Sequence, residues 1–350
     1  VVKNVPIYDL AEDLPAPQFL CQLQDEWNHV LLNGPGVLVV KNLYRNAQLL
    51  DHVSTIYDSI ITKERATSSA AGDHFASAGH NSRIWNSFSK HCLADPKSFC
   101  EYYSNPWLAA ICEAWLGPGY RITAQVNIVH PGGAAQSSHR DYHLGFQTRD
   151  GAQRYPKAVQ IASQLLTLQG AVAHTDMPVE SGPTRLLPFS QMLEDGYMAF
   201  RESEFQQFFL ENHVSLPLEK GDGLFFNPAL FHAAGENQTK DFSRSANLLQ
   251  ISSAFGKTME TIDTRPLIEK SWEHLVLLYE KEGLSGAARA LVAVVADGYP
   301  FPTNLDKSPP DPTTMAPLSE QQMLIRLLEK RSSKEDMLES LARLRSAREA

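Results

Sequence analysis

No stretch of this 350-residue chain approaches the roughly 20 consecutive apolar residues that a membrane-crossing helix needs, so no bilayer span is expected. Basic charge is also short. The chain has 31 Lys and Arg against 40 Asp and Glu, a formal net charge of −9, and no basic stripe. That balance argues against a nucleic-acid partner. Cysteine is scarce: Cys21, Cys92, Cys100 and Cys112 all lie in the first third, and no two form a Cys-x-x-Cys pair. They read as reduced, mostly buried thiols of a cytoplasmic protein rather than as metal ligands. The opening Val-Val-Lys-Asn-Val-Pro lacks the charged start and apolar run of a secretory signal. Internal repeats are absent.

What is present is a globular composition, 43% apolar, that predicts a sizeable core. Apolar residues at helical spacing mark Ala16 to Leu32, and Asn33-Gly34-Pro35-Gly36 stops that helix before a buried strand, Val37 to Val40. Residues 64–81 are rich in Ser, Ala, Gly and His without a period and read as a loop. A short helix from Pro106 to Trp115 is closed by Gly117-Pro118-Gly119. Then Ile122, Ala124, Val126 and Ile128 alternate with Thr123, Gln125 and Asn127, the period of a half-buried strand. Further strand candidates are Val159–Gln169, His213–Leu218, Leu224–Phe226 and Ala246–Ser252, several separated by Gly/Pro turns. Short strands with helices kept to the two ends predict a mainly β fold with flanking helices, a double-sheet jelly roll whose core covers about residues 120–256.

Helical pattern resumes from Ile268 to Ala296, so a first domain covers residues 1–298. A Pro-rich linker (299–317) precedes a helical extension (318–350) in which Ser319 with Gln322, and Ser333 with Asp336, have N-cap spacing. Met323, Leu324, Leu327 and Leu328 form one apolar stripe, and Met337, Leu338, Leu341 and Leu344 another. These stripes suit a helical pair packed on the main domain. A homodimer through the C-terminal helices, or a lid, is the other reading.

The chemistry-bearing pattern is His139-Arg140-Asp141. Residues i and i+2 of a strand point to one side, so this triplet delivers two ligands to one metal. His232, after an apolar strand that follows a Gly-Asp-Gly turn, is the candidate third ligand. Two imidazoles and one carboxylate on one face of an iron(II) octahedron leave positions open for a cosubstrate and O2. A His-x-Asp triplet alone is a weak signal, and His174-Thr175-Asp176 is a second one. Arg244 strengthens the first: it shares strand parity with Ala246, Leu248 and Gln250, and its guanidinium would anchor a carboxylate inside the barrel.

His139-Arg-Asp-Tyr-His143 resembles the His-x-Asp-x-His signature of the phytanoyl-CoA hydroxylase (phytanoyl-CoA dioxygenase) family of iron(II)/2-oxoglutarate oxygenases. The run from His232 through Gly235 and Asn237 to Arg244 is similar to that family's distal His, Gly, Asn and Arg block. Asp176, Ser181-Gly182-Pro183 and Leu187-Pro188-Phe189-Ser190 resemble a third ordered block, with Gln191 where the family has His. The resemblance runs from about Gly36 to Phe255 and implies a double-stranded β-helix of the cupin-like kind. It implies iron held by His139, Asp141 and His232, and 2-oxoglutarate held by Arg244, with Gln125 and Gln169 near the cosubstrate pocket. His143 would orient Asp141 or the cosubstrate, and His74, His80, Arg83 and Trp85 would form a substrate lid.

The activity implied is a dioxygenase that oxidises, by default hydroxylates, a C–H bond of a small organic, lipid-like or natural-product substrate. Succinate and CO2 are the coproducts. Two other readings stay open: a cupin-like hydrolase or isomerase that does not use 2-oxoglutarate, and a non-catalytic jelly-roll ligand-binding protein.

Overall fold

The computed structural model describes residues 1–67, 81–310, 312 and 315–349. Among the described residues ten strands follow one another: β1 (Ile7–Asp9), β2 (Val37–Lys41), β3 (Asn81–Ile84), β4 (Arg121–Val129), β5 (Thr167–Ala173), β6 (Arg185–Leu187), β7 (Val214–Ser215), β8 (Gly223–Phe226), β9 (Phe231–Ala233) and β10 (Arg244–Ser252). Seven of them make a large sheet in the order β1-β2-β8-β5-β10-β4-β3, and three make a small one, β7-β6-β9. The two sheets form the expected jelly roll.

The helices Pro17–Leu32, Ala47–Thr67, Ser87–Ala94, Pro96–Tyr103, Pro106–Leu116, Thr264–Glu282 and Gly286–Val295 bury the outer face of the large sheet. Leu38, Val40, Ile122, Ala124, Val126, Phe225, Leu249 and Ile251 meet Trp27, Phe99, Tyr102 and Trp272 there in one continuous core. A second apolar cluster, with Val37, Val39, Ala171, Leu186, Leu216, Leu224 and Ala246, lies on the inner side and draws on both sheets.

Alternation in β4 has a meaning that period alone does not reveal. Gln125 and Asn127 are as buried as Ala124 and Val126, because the polar face of this strand looks into the barrel rather than into solvent.

The expected strand Val159–Gln169 is displaced. Pro156 begins a helical turn, Lys157–Ser163 is helical, and a 3-10 turn at Gln164–Leu166 leads into β5. The β-branched Val159 and Ile161 that suggested a strand stay exposed, while Gln160 turns inward and donates to Tyr155 O at 2.9 Å. The candidate His213–Leu218 shrinks to the two residues of β7. Pro217 has no N–H to extend the ladder, and Leu218 joins only an isolated bridge with Met177. The loop expected over residues 64–81 begins later, since a helix runs through Thr67.

The C-terminal stripes are used within the chain. Met323, Leu324, Leu328, Met337 and Leu341 belong to the main core. Both expected capping boxes, Ser319 with Gln322 and Ser333 with Asp336, are formed. Buried Glu320 accepts from Thr264 Oγ1 at 2.7 Å and from Arg345 Nε at 3.1 Å, tying the extension to the helix that follows the barrel.

Candidate metal centre and cavity

His139-Arg140-Asp141 runs alongside β9 as an extra rung of the small sheet. His139 N donates to His232 O at 3.0 Å and His232 N to His139 O at 3.1 Å, while Asp141 N donates to Pro228 O at 3.1 Å. Strand alternation then aims His139 and Asp141 to one side and Arg140 to the other. The reciprocal bridge puts the two imidazoles side by side, with ring centroids 4.5 Å apart.

Each ring is held in one orientation by its own backbone. Nδ1 of His139 lies 2.9 Å from Ser137 O, and Nδ1 of His232 lies 2.9 Å from Leu230 O. Only an N–H can serve a carbonyl, so Nδ1 carries the proton and the Nε2 lone pair faces Asp141. The two Nε2 atoms are each 3.4 Å from a different carboxylate oxygen of Asp141. One ligand atom from each of the three residues lies within 4.8 Å of the others. This donor set, on one side and with room beside it, fits a non-haem iron(II).

Burial alone would push the Asp141 carboxyl up. The His139 and His232 rings and the amide of Gln169, whose Nε2 donates to Oδ2 at 2.6 Å, outweigh it and hold Asp141 well below the usual carboxylate range. Burial pushes His139 down, with Asp141 pulling the other way. Asp141 is thereby held as the carboxylate, and burial favours the neutral ring of His139, the forms in which each binds a metal.

After Asp141 the chain turns sharply through Tyr142 and His143, both in the left-handed region (φ +65° and +44°). The Tyr142 hydroxyl, 3.0 Å from Ser252 Oγ and donating to Lys257 O at 3.1 Å, holds this disfavoured turn. His143 makes no hydrogen bond to Asp141. Among the described residues its buried Nε2 has no hydrogen-bond partner, and its ring packs on Tyr142. Of the two roles expected of His143, orienting Asp141 falls to Gln169, which bonds its carboxylate.

The triad opens into a cavity of about 550 Å³. Gln125, Gln169, Leu248, Gln250 and Arg244 share its walls, the last three from alternate positions of β10. Arg244 is 4% exposed, and its Nε donates to Ser181 O at 2.9 Å. Burial and the nearby Arg83 push its pKa down to about 10.

Arg83 is not on a loop. It lies on β3, paired with β4, and its Nη1 donates to Gln125 Oε1 at 3.0 Å inside the cavity. Its guanidinium sits 5.0 Å from the centroid of the Trp85 ring, which is not part of the cavity wall. His74 and His80 lie outside the described residues. The place of Arg83 was hidden because β3 is only four residues long and follows a stretch without period.

The second triplet goes elsewhere. His174 is buried on the far side of the large sheet, with Nδ1 3.0 Å from Ser54 Oγ and Nε2 3.1 Å from Tyr102 OH. Asp176 Oδ1 accepts from Lys220 N at 2.9 Å. Among the described residues, His139, Asp141 and His232 are the group able to hold a metal.

A family model described as phytanoyl-CoA dioxygenase (PhyH) matches residues 32–246. The curated dioxygenase andF of Emericella variicolor is 29% identical over 152 residues, 41% of this chain and 47% of that protein. Dioxygenase trt7 of Aspergillus terreus is 26% identical over 165 residues, 47% of each chain. The matches thus span about half the length of these two relatives. Dioxygenase olcK of Penicillium canescens is 25% identical over 68% of this chain and 74% of that protein. Among solved structures, the non-haem α-ketoglutarate-dependent epimerase SnoN from nogalamycin biosynthesis is 18% identical over 68% of this chain and 85% of that chain, with a TM-score of 0.48.

Proposed function

The chain belongs to the phytanoyl-CoA dioxygenase family, and from that premise we propose that it is an iron(II)- and 2-oxoglutarate-dependent dioxygenase acting on a C–H bond of a small organic substrate. The observation that carries this reading is the meeting of a two-His, one-carboxylate triad and a buried guanidinium in the walls of one cavity. A hydrolase or isomerase of the same fold would use the triad but leave a buried Arg244 without purpose. A plain binding protein would need neither.

Iron(II) bound by His139, Asp141 and His232 supplies the redox chemistry that activates O2 when 2-oxoglutarate is present. Arg244 binds the distal carboxylate of the cosubstrate as a charge-assisted pair, and Gln125 and Arg83 add donors in the same cavity. Gln169, bonded to Asp141, would keep that carboxylate in position to hold the metal. Hydroxylation of the substrate, with succinate and CO2 released, is the reaction proposed.

The rest of the wall supports a reading of the substrate class. Ala135, Gln136, Ser137, Phe146, Ala234 and Met259 are uncharged. Two of the cavity's cations, Arg244 and Arg83, lie with the cosubstrate donors, and Arg140 turns its guanidinium away into another part of the fold. A neutral, lipid-like or natural-product molecule is therefore the substrate that suits this cavity, rather than a polyanionic thioester.

The test is anaerobic titration of the protein with iron(II) and then 2-oxoglutarate. A weak visible charge-transfer band, together with saturable 2-oxoglutarate binding by calorimetry, is the expected result. A protein that binds iron and shows neither signal is not an oxygenase of this class.

A further inference from the structure

Arg140 lies between two metal ligands yet faces away from the metal. It is 2% exposed. Its Nη2 donates to Ser190 O at 2.6 Å, to Leu193 O at 2.9 Å and, at the limit of a bond, to Gln191 O at 3.5 Å. The guanidinium carbon stands 5.0 Å from the Tyr197 ring centroid and 5.1 Å from that of Phe231. Among the described residues no carboxylate pairs with it. A buried cation satisfied only by carbonyls and aromatic faces is costly to keep, which calls for a reason beyond packing.

The turn it grips is bonded to the other ligand segment as well. Phe231 N, one residue before His232, donates to Ser190 Oγ at 2.8 Å. Ser190 therefore accepts from Arg140 through its carbonyl and from the His232 strand through its hydroxyl. Gly196 closes the arrangement: a Cβ there would fall 1.9 Å from Arg140 Cζ. The guanidinium fits only because residue 196 has no side chain.

We propose that Arg140 is a positioning residue: with the Ser190–Leu193 turn it forms a clasp behind the metal centre that fixes the His139-Asp141 segment against the His232 strand. The inference rests on the triad's being the metal centre. The clasp sets the spacing of the three donors before metal arrives, so losing it costs metal affinity in the way that loss of outer partners of metal ligands does, about 10–100-fold.

The experiment uses the metal-free full chain titrated anaerobically with iron(II), and with cobalt(II) as a spectroscopic probe of coordination. Arg140→Met should weaken both metals by about 10–100-fold and alter the visible cobalt(II) spectrum. Once the centre is saturated with metal, 2-oxoglutarate affinity should stay within about threefold of wild type, because Arg244 is untouched. Gly196→Ala, which keeps the charge but displaces it, should reproduce the loss. Ser190→Ala cuts only the link to Phe231, and combining it with Arg140→Met should cost less than the sum of the two, since both break one chain of contacts. Folded Arg140→Met and Gly196→Ala proteins with wild-type metal affinity and cobalt spectrum would overturn the proposal. If Arg140→Met does not fold, Gly196→Ala decides alone by the same two readouts. A wild-type chain that binds neither metal would instead refute the triad on which the inference stands.

Discussion

Replacing Arg244 by Leu separates cosubstrate binding from metal binding. Among the described residues the guanidinium makes one hydrogen bond, to Ser181 O at 2.9 Å, and Arg244 is 4% exposed. Among the described residues it has no carboxylate within ion-pair distance, and Arg83 adds repulsion, which is why burial and that neighbour push its pKa down to about 10. It is still protonated at neutral pH. The cation is thus already desolvated and unpaired, so a carboxylate placed beside it would form a charge-assisted pair. Loss of such a charge pair costs on the order of 2–5 kcal/mol, and each 1.4 kcal/mol is about tenfold in affinity. The Arg244→Leu protein should therefore bind 2-oxoglutarate at least about 30-fold more weakly. Leu suits the neighbouring Ala246 and Leu248 and removes an unpaired charge, so the thermal midpoint of the cosubstrate-free protein should hold or rise. Iron(II) affinity should stay near wild type, because the triad does not touch Arg244. Calorimetry with 2-oxoglutarate and anaerobic iron titration on the same preparation provide the readout. An unchanged 2-oxoglutarate dissociation constant, or iron lost together with the cosubstrate, would refute this reasoning.

Two further outcomes follow from the geometry. Gln169→Leu removes the 2.6 Å bond to Asp141 and should weaken iron(II) binding roughly tenfold or more, while unfolding free energy changes by only about 1 kcal/mol; unchanged metal affinity would contradict it. Acid should destabilise the fold through His174 and His91, which burial pushes down to about 3 and about 4. Their folded values lie below the unfolded value of about 6.5, so the stability they contribute is complete above that pH and is lost as pH falls toward 4, by up to about 1.4 kcal/mol per unit for each ring. The denaturant midpoint should therefore drop between about pH 7 and about pH 5, and a midpoint that stays level would show that these rings do not control it.

The sequence by itself determined whatever depends on local direction. Period 2 at His139 and Asp141, and along Arg244, Ala246, Leu248 and Gln250, sets which way side chains leave a strand. The capping pairs at Ser319 and Ser333 are equally local, since an N-cap bonds within its own first turn. Such features survive without knowledge of neighbours. The same locality misled at Val159–Gln169, where β-branched residues matched a strand and Pro156 started a helix. The tertiary structure decided whatever needs two distant segments. His139 pairs with His232 while His174 is sealed behind the sheet with Ser54 and Tyr102, although the two triplets read alike. Gln169 rather than His143 bonds Asp141 because β5 lies across the barrel, whereas the left-handed turn at Tyr142 swings the next residue away. Arg83 reaches Gln125 only because β3 pairs with β4, and the grip of Arg140 on Ser190 joins positions 50 residues apart. The chain's periodicity fixes the side a residue faces; long-range strand pairing and packing, which no local pattern encodes, fix what it finds there.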